Sequence, residues 1–153
     1  MPIPMELLAL GQDAYYAAQA NDRVKALERL DGFAQILSVQ DQTSDFEFAS
    51  MMALIGRVYA MLNEPRMAAL SLADVCAFAE LHFPDTTETA GDYYELSEAL
   101  ESSGDIEGAI RAMDRSAHHL SRHPEWVKCE AAYCRRRNAL HARLNEQATK
   151  QPS

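Results

Sequence analysis

The stretch YYELSEALESSGDIEGAIRAMDRSAHHLSRHP (93–124) decides the fold, because its apolar residues recur at steps of three and four. Such steps place side chains on one face of an α-helix. Two runs of this kind are present, and Ser-Ser-Gly-Asp (102–105) separates them. Gly104 can adopt the left-handed conformation that ends a helix, and Asp105 can cap the next helix. The stretch therefore predicts two amphipathic helices joined by a tight turn.

The same pattern occurs three times along the chain. The small residues Ala14, Gly56 and Ser97 align with one another and lie 42 and 41 positions apart. Each repeat continues with a polar break, at Asn21-Asp22, Asn63-Glu64 and Gly104-Asp105. Repeats of this length are typical of stacked helical hairpins, which bury their apolar faces only against neighbouring repeats. The pattern predicts an extended interaction surface rather than a catalytic pocket.

The segment 93–124 resembles a tetratricopeptide (TPR) repeat. That family places an aromatic residue first, then Leu with a small residue, a Gly-Asp turn, and Ala in the second helix. Those roles fall on Tyr93, Leu96, Ser97, Leu100, Gly104, Asp105, Ala109, Ile110 and Ala117, with Pro124 closing the repeat. The segment 55–75 repeats the pattern, whereas the first repeat has Asp13 where Leu is usual. The resemblance implies an all-α fold, a right-handed solenoid of three TPR-like hairpins followed by a C-terminal capping helix.

Turn and cap residues predict seven helices in a single domain over residues 1–147. The expected helices are 5–20, 22–38, 44–62, 65–82, 86–103, 105–122 and 124–147. The first six helices form the repeats 7–40, 44–84 and 86–124, and the helix 124–147 covers the last repeat as a cap. Ser44 with Glu47 indicates a capping box for the third helix. The tail 148–153 is expected to be disordered.

Small residues are expected where two helices touch, because they allow the backbones to approach closely. Gly56 and Ala109 occupy such positions in their repeats. Gly108, one residue before Ala109, is expected to point outward. A leucine at Gly56 or Ala109 is therefore expected to cost about 1–3 kcal/mol, more than a leucine at Gly108.

The composition indicates the structural class of the protein and its expected cellular location. Only six glycines and six prolines interrupt the 153 residues, which favours helices. No run of about eighteen apolar residues occurs, so no membrane span is expected. The beginning of the chain carries Glu6 and Asp13 and no basic leader, unlike a secretory signal. The three cysteines, Cys76, Cys129 and Cys134, form no paired disulfide framework, which indicates a reducing cytoplasm. They are expected to be small buried residues.

Charge is distributed unevenly along the chain. Residues 1–110 hold 19 Asp and Glu against 5 Lys and Arg, whereas residues 111–153 hold 4 against 9. This asymmetry either steers an oppositely charged partner or reflects solvated helix faces with no binding role. The run Arg135–Arg137 is too short, in a chain of net charge −9, to indicate nucleic-acid binding.

The histidines are the only pattern that resembles metal chemistry. His119 and His123 are four residues apart on an expected helix, with His118 adjacent. Imidazoles at that spacing can share a metal ion, but no HExxH pattern and no paired CxxC motif accompanies them. A partly exposed helix end is the favoured interpretation. The sequence therefore predicts no metal, no cofactor and no enzymatic activity.

In proteins that the repeats resemble, the first helix of each hairpin lines a concave groove that holds a peptide. Carried over to this chain, the resemblance implies these partner-binding residues: Tyr15, Gln19, Arg57, Met61, Tyr94, Glu95, Glu98 and Glu101. The Lys, Asn and Arg set with which co-chaperones of the family clamp a terminal carboxylate is absent. Glu95, Glu98 and Glu101 lie along one side of a helix, which favours a basic partner.

Two classes of function remain open from the sequence. The first is a TPR adaptor or chaperone that holds a partner polypeptide in its groove; in size and acidity the chain resembles the export chaperones of bacterial type III secretion. The second is a structural subunit or homodimer whose groove is filled by itself or by a fixed partner. The partner is in both cases a protein or peptide, and neither nucleic acid nor a membrane is expected.

Overall fold

The computed structural model of the chain describes residues 4–40 and 46–151. These ranges contain α-helices and turns but no β-strand, which confirms the all-α expectation. The helices are α1 (Met5–Gln19), α2 (Arg23–Ser38), α3 (Phe46–Met61), α4 (Pro65–His82), α5 (Thr87–Ser103), α6 (Ile106–Leu120) and α7 (Trp126–Lys150). Every expected helix is present, and each begins within two residues of its expected start. Within the same ranges, no helix is both long and apolar enough to cross a membrane.

The last helix is longer than the sequence indicated. α7 continues through residues 148–150, where a disordered tail was expected. Ala, Gln and Lys are strong helix formers, and the Thr149 hydroxyl donates a hydrogen bond to the Glu146 carbonyl oxygen at 2.9 Å. The end of the tail, 152–153, and the Ser44 half of the expected capping box lie outside the described residues.

The three polar breaks fold into the same turn. Asn21, Asn63 and Gly104 have φ angles of 57°, 56° and 93°, so each adopts the left-handed conformation that ends a helix. The following amide donates back to a carbonyl five residues earlier, in the pairs Asp22–Ala17 at 2.8 Å, Glu64–Tyr59 at 2.9 Å and Asp105–Leu100 at 2.9 Å. Asparagine tolerates this conformation better than most residues other than glycine. The repeat seen in the sequence is therefore a repeat of local structure.

Side-chain caps begin the second helix of two of these hairpins. The Asp22 carboxylate accepts a hydrogen bond from the Lys25 amide at 3.1 Å, and the Asp105 carboxylate accepts one from the Gly108 amide at 2.8 Å. Each cap satisfies an amide that has no partner within its own helix. The expected role of Asp105 is confirmed.

The contacts between residues divide the chain into an N-terminal unit (Met1–Phe78) and a C-terminal unit (Ala79–Ser153), and the boundary falls within α4. In the N-terminal unit, one buried cluster contains Ala14, Ala26, Leu30 and Val58. Gly56 lies at a close helix contact, because a Cβ atom built on it would be 2.5 Å from Leu72 Cγ. The expected contact position of Gly56 is therefore confirmed.

In the C-terminal unit, Ala109 is fully buried in a cluster with Ile106, Ile110, Met113 and Leu140. The expectation that its neighbour Gly108 points outward is wrong. Gly108 is buried, and a Cβ atom built there would lie 2.4 Å from the Asp105 Oδ2 atom. The carboxylate that caps α6 folds over the third residue of the helix and occupies the space of a side chain.

The cysteines differ from one another in exposure. Cys76 is buried, Cys129 is half-buried and Cys134 is exposed, and all three are free thiols. The expectation of small buried residues therefore holds for Cys76, and it is wrong for Cys134. Cys134 is exposed because it lies on α7 away from the stripe of half-buried residues that includes Tyr133 and Arg136.

Candidate partner-binding site

A pocket of about 220 Å³ opens in the N-terminal unit between α1 and α3. We call it the anchor pocket. Its lining is mainly apolar and aromatic and consists of Leu8, Gly11, Gln12, Tyr15, Tyr16, Met51 and Leu54. A cavity of roughly 150 Å³ with apolar walls can hold a benzene molecule. The anchor pocket therefore has room for one large aliphatic or aromatic side chain.

Gly11, beside the pocket, allows α1 to pack closely against Leu54 of α3 and Phe33 of α2. A Cβ atom built on Gly11 would lie 2.8 Å from Leu54 Cδ2 and 2.9 Å from Phe33 Cε2, so a larger residue would collide with these two side chains. The Tyr15 and Tyr16 rings meet edge to face, with their centroids 6.0 Å apart. Tyr16 remains 63% exposed, so its ring is available at the surface. Such rigid amphipathic side chains are frequent in protein interfaces.

Of the expected partner-binding residues in the N-terminal unit, Tyr15 lines the anchor pocket. Gln19 is exposed one turn further along α1, and Arg57 and Met61 are exposed on α3 in the turns after Leu54. These four residues continue the two helix faces that form the pocket, because their steps are three and four residues. Arg57 also makes a contact within the protein.

The sequence interpretation missed Leu8 and Met51. Both lie on the helix faces that line the pocket, since Leu8 precedes Gln12 by four residues and Met51 precedes Leu54 by three. Extending each face by one helical turn toward the N-terminus would have found them. Leu8 was missed because the pattern of the first repeat is degenerate, and Met51 because it lies before the segment 55–75 in which the second repeat was recognised.

In the C-terminal unit, α7 covers part of the face of α5 on which partner-binding residues were expected. The ring centroid of Tyr94 is 5.7 Å from that of Tyr133, and the Arg136 guanidinium carbon is 5.2 Å from the Tyr94 ring centre. The distance places the cation within the range of a cation–π interaction. Tyr94 is half-buried as a result.

Glu101 is also engaged by α7. Its Oε2 atom lies 2.9 Å from Arg136 Nη1, and its other oxygen pairs with Arg143. Arg136 donates a further hydrogen bond to the Ser97 hydroxyl at 3.2 Å. We call Tyr94, Ser97 and Glu101 the covered face of α5.

The other two expected residues of α5 differ from Glu101 in exposure. Glu98 is exposed, and Glu95 is half-exposed and makes a contact within the protein. The three glutamates therefore have different surroundings, although their spacing places them on one side of the helix.

Tyr133 ties α7 to α6 as well. The buried Ser116 hydroxyl donates a hydrogen bond to the Ala90 carbonyl oxygen, so it accepts one from the Tyr133 hydroxyl at 2.8 Å. Burial raises the pKa of Tyr133 above its ordinary value of 10.0, because the phenolate would lose hydration. Tyr133 therefore stays a neutral hydrogen-bond donor at physiological pH.

A second polar cluster surrounds His119 and corrects the expectation of a partly exposed helix end. His119 is 2% exposed, and its ring stacks on Tyr93 with the centroids 5.6 Å apart. The Asp85 amide donates to His119 Nδ1 at 3.1 Å, and a Glu80 oxygen lies 3.5 Å from Nε2. The ring therefore connects the end of α4, the loop after it, α5 and α6.

Burial and the neighbouring Arg115 favour the neutral form of His119. Burial, followed by the positive charge of Arg115, holds the pKa of His119 below its ordinary value of 6.5, and Asp85 opposes this shift. Glu80 pairs with Arg115, and Arg122 pairs with Asp85 at 2.8 Å. Among the described residues, no three His, Cys, Asp or Glu side chains form a group that could hold a metal ion. The cluster is consistent with a structural role.

Solved structures with a similar fold are TPR-like repeat proteins. The nearly identical TPR-like repeats of a Podosopora anserina protein described as a kinesin light chain superpose with a TM-score of 0.73 at 16% identity, covering 100% of this chain and 80% of that one. A second crystal structure, of a variant of the same repeats, gives a TM-score of 0.74 at 16% identity, with coverages of 95% and 71%. No family model and no curated protein matches the sequence significantly. The chain has the fold of TPR-like repeats, which confirms the resemblance at the level of the fold.

Proposed function

We propose that this chain of TPR-like fold is a protein–protein interaction module that takes an apolar side chain of its partner into the anchor pocket. TPR-like repeats generally mediate protein–protein interactions. The observation that carries the proposal is the pocket of about 220 Å³ between α1 and α3, lined by apolar and aromatic side chains. Such a concave site, with a few polar groups at its edge, is the usual form of a binding site.

The residues around the pocket suggest how a partner segment would bind. A large apolar side chain would contact Leu8, Met51 and Leu54, while the Gln12 amide and the Tyr15 hydroxyl supply hydrogen-bonding groups at the wall. Gln19, Arg57 and Met61 lie further along the same two helices and would contact the neighbouring residues of the segment. A rigid aromatic anchor beside a pocket is typical of residues that dominate binding energy.

The role we propose is that of a cytoplasmic adaptor or chaperone without catalytic activity or cofactor. The three free cysteines support a reducing compartment. We also propose that residues 1–147 form a single TPR-like domain. The partner we propose is a protein or peptide rather than nucleic acid or a membrane.

A peptide library displayed on phage and selected against the full-length chain tests the proposal. We expect the selected peptides to share one large apolar residue at a fixed position. Tyr15→Ala should weaken their binding by about tenfold, the effect of losing an interface anchor worth more than 1 kcal/mol. The matched control is Val24→Ala, since Val24 is 78% exposed in the same unit and does not line the pocket. Equal affinities for the two variants would contradict the proposal.

The alternative, a structural protein whose groove is filled by itself or by a fixed partner, is favoured by one observation. α7 of the same chain lies against Tyr94 and Glu101, two of the expected partner-binding residues. Sedimentation velocity over a hundredfold range of concentration separates the two functions. A dimer that persists at the lowest concentration would support the alternative, whereas a monomer throughout is expected for an adaptor.

A further inference from the structure

α7 is held by a narrow stripe of contacts. It lies wholly within the described part of the chain, and of its 25 residues only Leu140 is fully buried. By comparison, nine of the 15 residues of α6 are buried. The half-buried residues that accompany Leu140 follow steps of three and four along α7, at Trp126, Cys129, Tyr133, Arg136 and Leu144. Elements with few buried apolar residues open at a lower free energy than the rest of a protein.

Part of the contact between α7 and α5 is electrostatic. α5 contains five acidic residues and no basic one, whereas α7 contains six basic residues and two acidic ones. Two of those arginines, Arg136 and Arg143, meet at the single carboxylate of Glu101. Charge complementarity of this kind speeds association and selects the partner more than it adds stability.

Burying Arg136 costs free energy that an apolar residue at the same position would not cost. Its side chain is 20% exposed, and its Nε atom is buried without a hydrogen-bond partner. Replacing a buried ion pair by apolar residues of similar volume is often neutral or stabilising. A charged residue at this point of the stripe, over Tyr94 and next to Glu101, is therefore better explained by recognition than by packing.

The stripe defines the chemistry of the helix that fits this site. An aromatic residue stands at 133, arginine at 136, leucine at 140 and arginine at 143. Leu140 packs with Ile106, Ile110 and Met113. A helix that replaced α7 would have to supply an apolar residue for that cluster and a cation for Glu101. A basic amphipathic helix with the pattern aromatic-x2-Arg-x3-Leu-x2-Arg meets both requirements.

We infer that the covered face of α5 is a binding surface for a basic amphipathic helix of another polypeptide, and that α7 occupies this surface when the partner is absent. A partner helix with the pattern above replaces α7, so α7 acts as an autoinhibitory contact. All residues of this surface belong to the C-terminal unit, and none lines the anchor pocket. The inference therefore stands or fails separately from the proposed function.

A fluorescent peptide of residues 124–151 serves as the probe, and its anisotropy reports binding to the full-length protein. In the double variant Arg136→Glu with Arg143→Glu, the tethered α7 loses both ion pairs to Glu101, while the peptide retains its arginines. We expect this variant to bind the peptide at least about tenfold more tightly than the wild type, because its own α7 competes less well for the site. A tenfold change in affinity corresponds to about 1.4 kcal/mol of binding free energy. A peptide carrying the same two glutamates is expected to bind the variant at least tenfold more weakly.

The matched control is the double variant Arg135→Glu with Lys150→Glu, which makes the same change of charge at exposed positions of α7. We expect it to bind the probe as the wild type does. The inference is overturned if the control gains as much affinity as the Arg136 and Arg143 variant, or if neither variant gains any.

Hydrogen exchange in the wild-type chain tests the inference without any substitution. We expect the amides of α7 to exchange at least about tenfold faster than the slowest amides of α5 and α6, because α7 opens as a unit. Exchange of α7 as slow as that of α6 would show a fixed cap and overturn the inference. A dimer that forms by exchange of α7 between two copies, seen in sedimentation at high concentration, would also overturn it, because the occupant would be a second copy.

Discussion

The anchor pocket and the covered face of α5 use the first helices of the same kind of hairpin, yet they present different chemistry. In the pocket, the lining residues of α1 and α3 are mainly apolar or aromatic and leave about 220 Å³ of space. On α5, the corresponding face carries an aromatic ring and a carboxylate, and the arginines of α7 contact both. The turns that join the two helices of each hairpin are nevertheless the same.

The repeat sets the backbone of each hairpin, while the outward side chains of the first helix set the chemistry of its surface. The buried positions of the hairpins hold similar small and apolar residues in both units. The outward positions are free to vary, because they do not pack within the hairpin. An apolar pocket selects a partner by shape and burial, whereas an acidic face selects one by charge.

The largest effect is expected at Gly56, where the N-terminal unit requires the closest approach of two helices. A leucine there would collide with Leu72, so Gly56→Leu should lower the free energy of unfolding by about 3 kcal/mol, measured by urea denaturation. The control lies in the C-terminal unit at Gly91, around which a built Cβ atom meets nothing within 4 Å. Gly91→Ala should raise the free energy of unfolding by about 0.5–1 kcal/mol. A Gly56→Leu protein as stable as wild type would show that this contact is misplaced.

A smaller effect is expected at the caps that the two units share. Asp22→Ala and Asp105→Ala each remove a carboxylate that accepts a hydrogen bond from an amide in the first turn of a helix. Each substitution should cost about 1 kcal/mol in urea denaturation, because the caps are equivalent. Ser38, whose hydroxyl donates to the Gln35 carbonyl oxygen at the exposed end of α2, provides the control, and Ser38→Ala should cost much less. A large cost at one aspartate with none at the other would break the equivalence of the hairpins.

The smallest effect concerns pH and belongs to the C-terminal unit alone. The pKa of His119 is lowered in the folded protein, so the unfolded chain binds its proton first as pH falls below 6.5. The free energy of unfolding should therefore decrease as pH falls from 6.5 toward the lower folded-state pKa, and level off below it. His119→Gln should flatten this dependence in urea denaturation between pH 7.5 and 5.5. The control is His141→Gln on the exposed surface of α7, and an equal flattening there would contradict the account.

Local chemistry explains why the helices could be predicted from the sequence. Asn21, Asn63 and Gly104 end helices through their own conformational preferences, and Asp105 caps the next helix through a contact three residues away. These signals need no knowledge of tertiary structure. Even here the sequence misled at Gly108, because the pattern of apolar residues does not show where a capping carboxylate folds.

The candidate site was predictable only in part, because its remaining contacts join residues far apart in the sequence. Tyr15 follows from the register of the first repeat. The pairing of Arg136 with Glu101 spans 35 positions, and the run Arg135–Arg137 by itself is equally compatible with a solvated face. His119 looked exposed beside His118, and its burial depends on Tyr93 and Asp85, which come from other elements.

Methyl NMR of the full-length chain, titrated with a peptide selected against it, tests whether a partner side chain enters the anchor pocket. We expect chemical-shift changes at the methyl groups of Leu8, Met51 and Leu54, which line the anchor pocket. Met67 and Leu70 provide the internal comparison, since they are exposed apolar residues on α4 in the same unit, 42% and 65% accessible. Their signals should stay unchanged. Shifts at Met67 and Leu70, with the signals of Leu8, Met51 and Leu54 unmoved, would contradict the account.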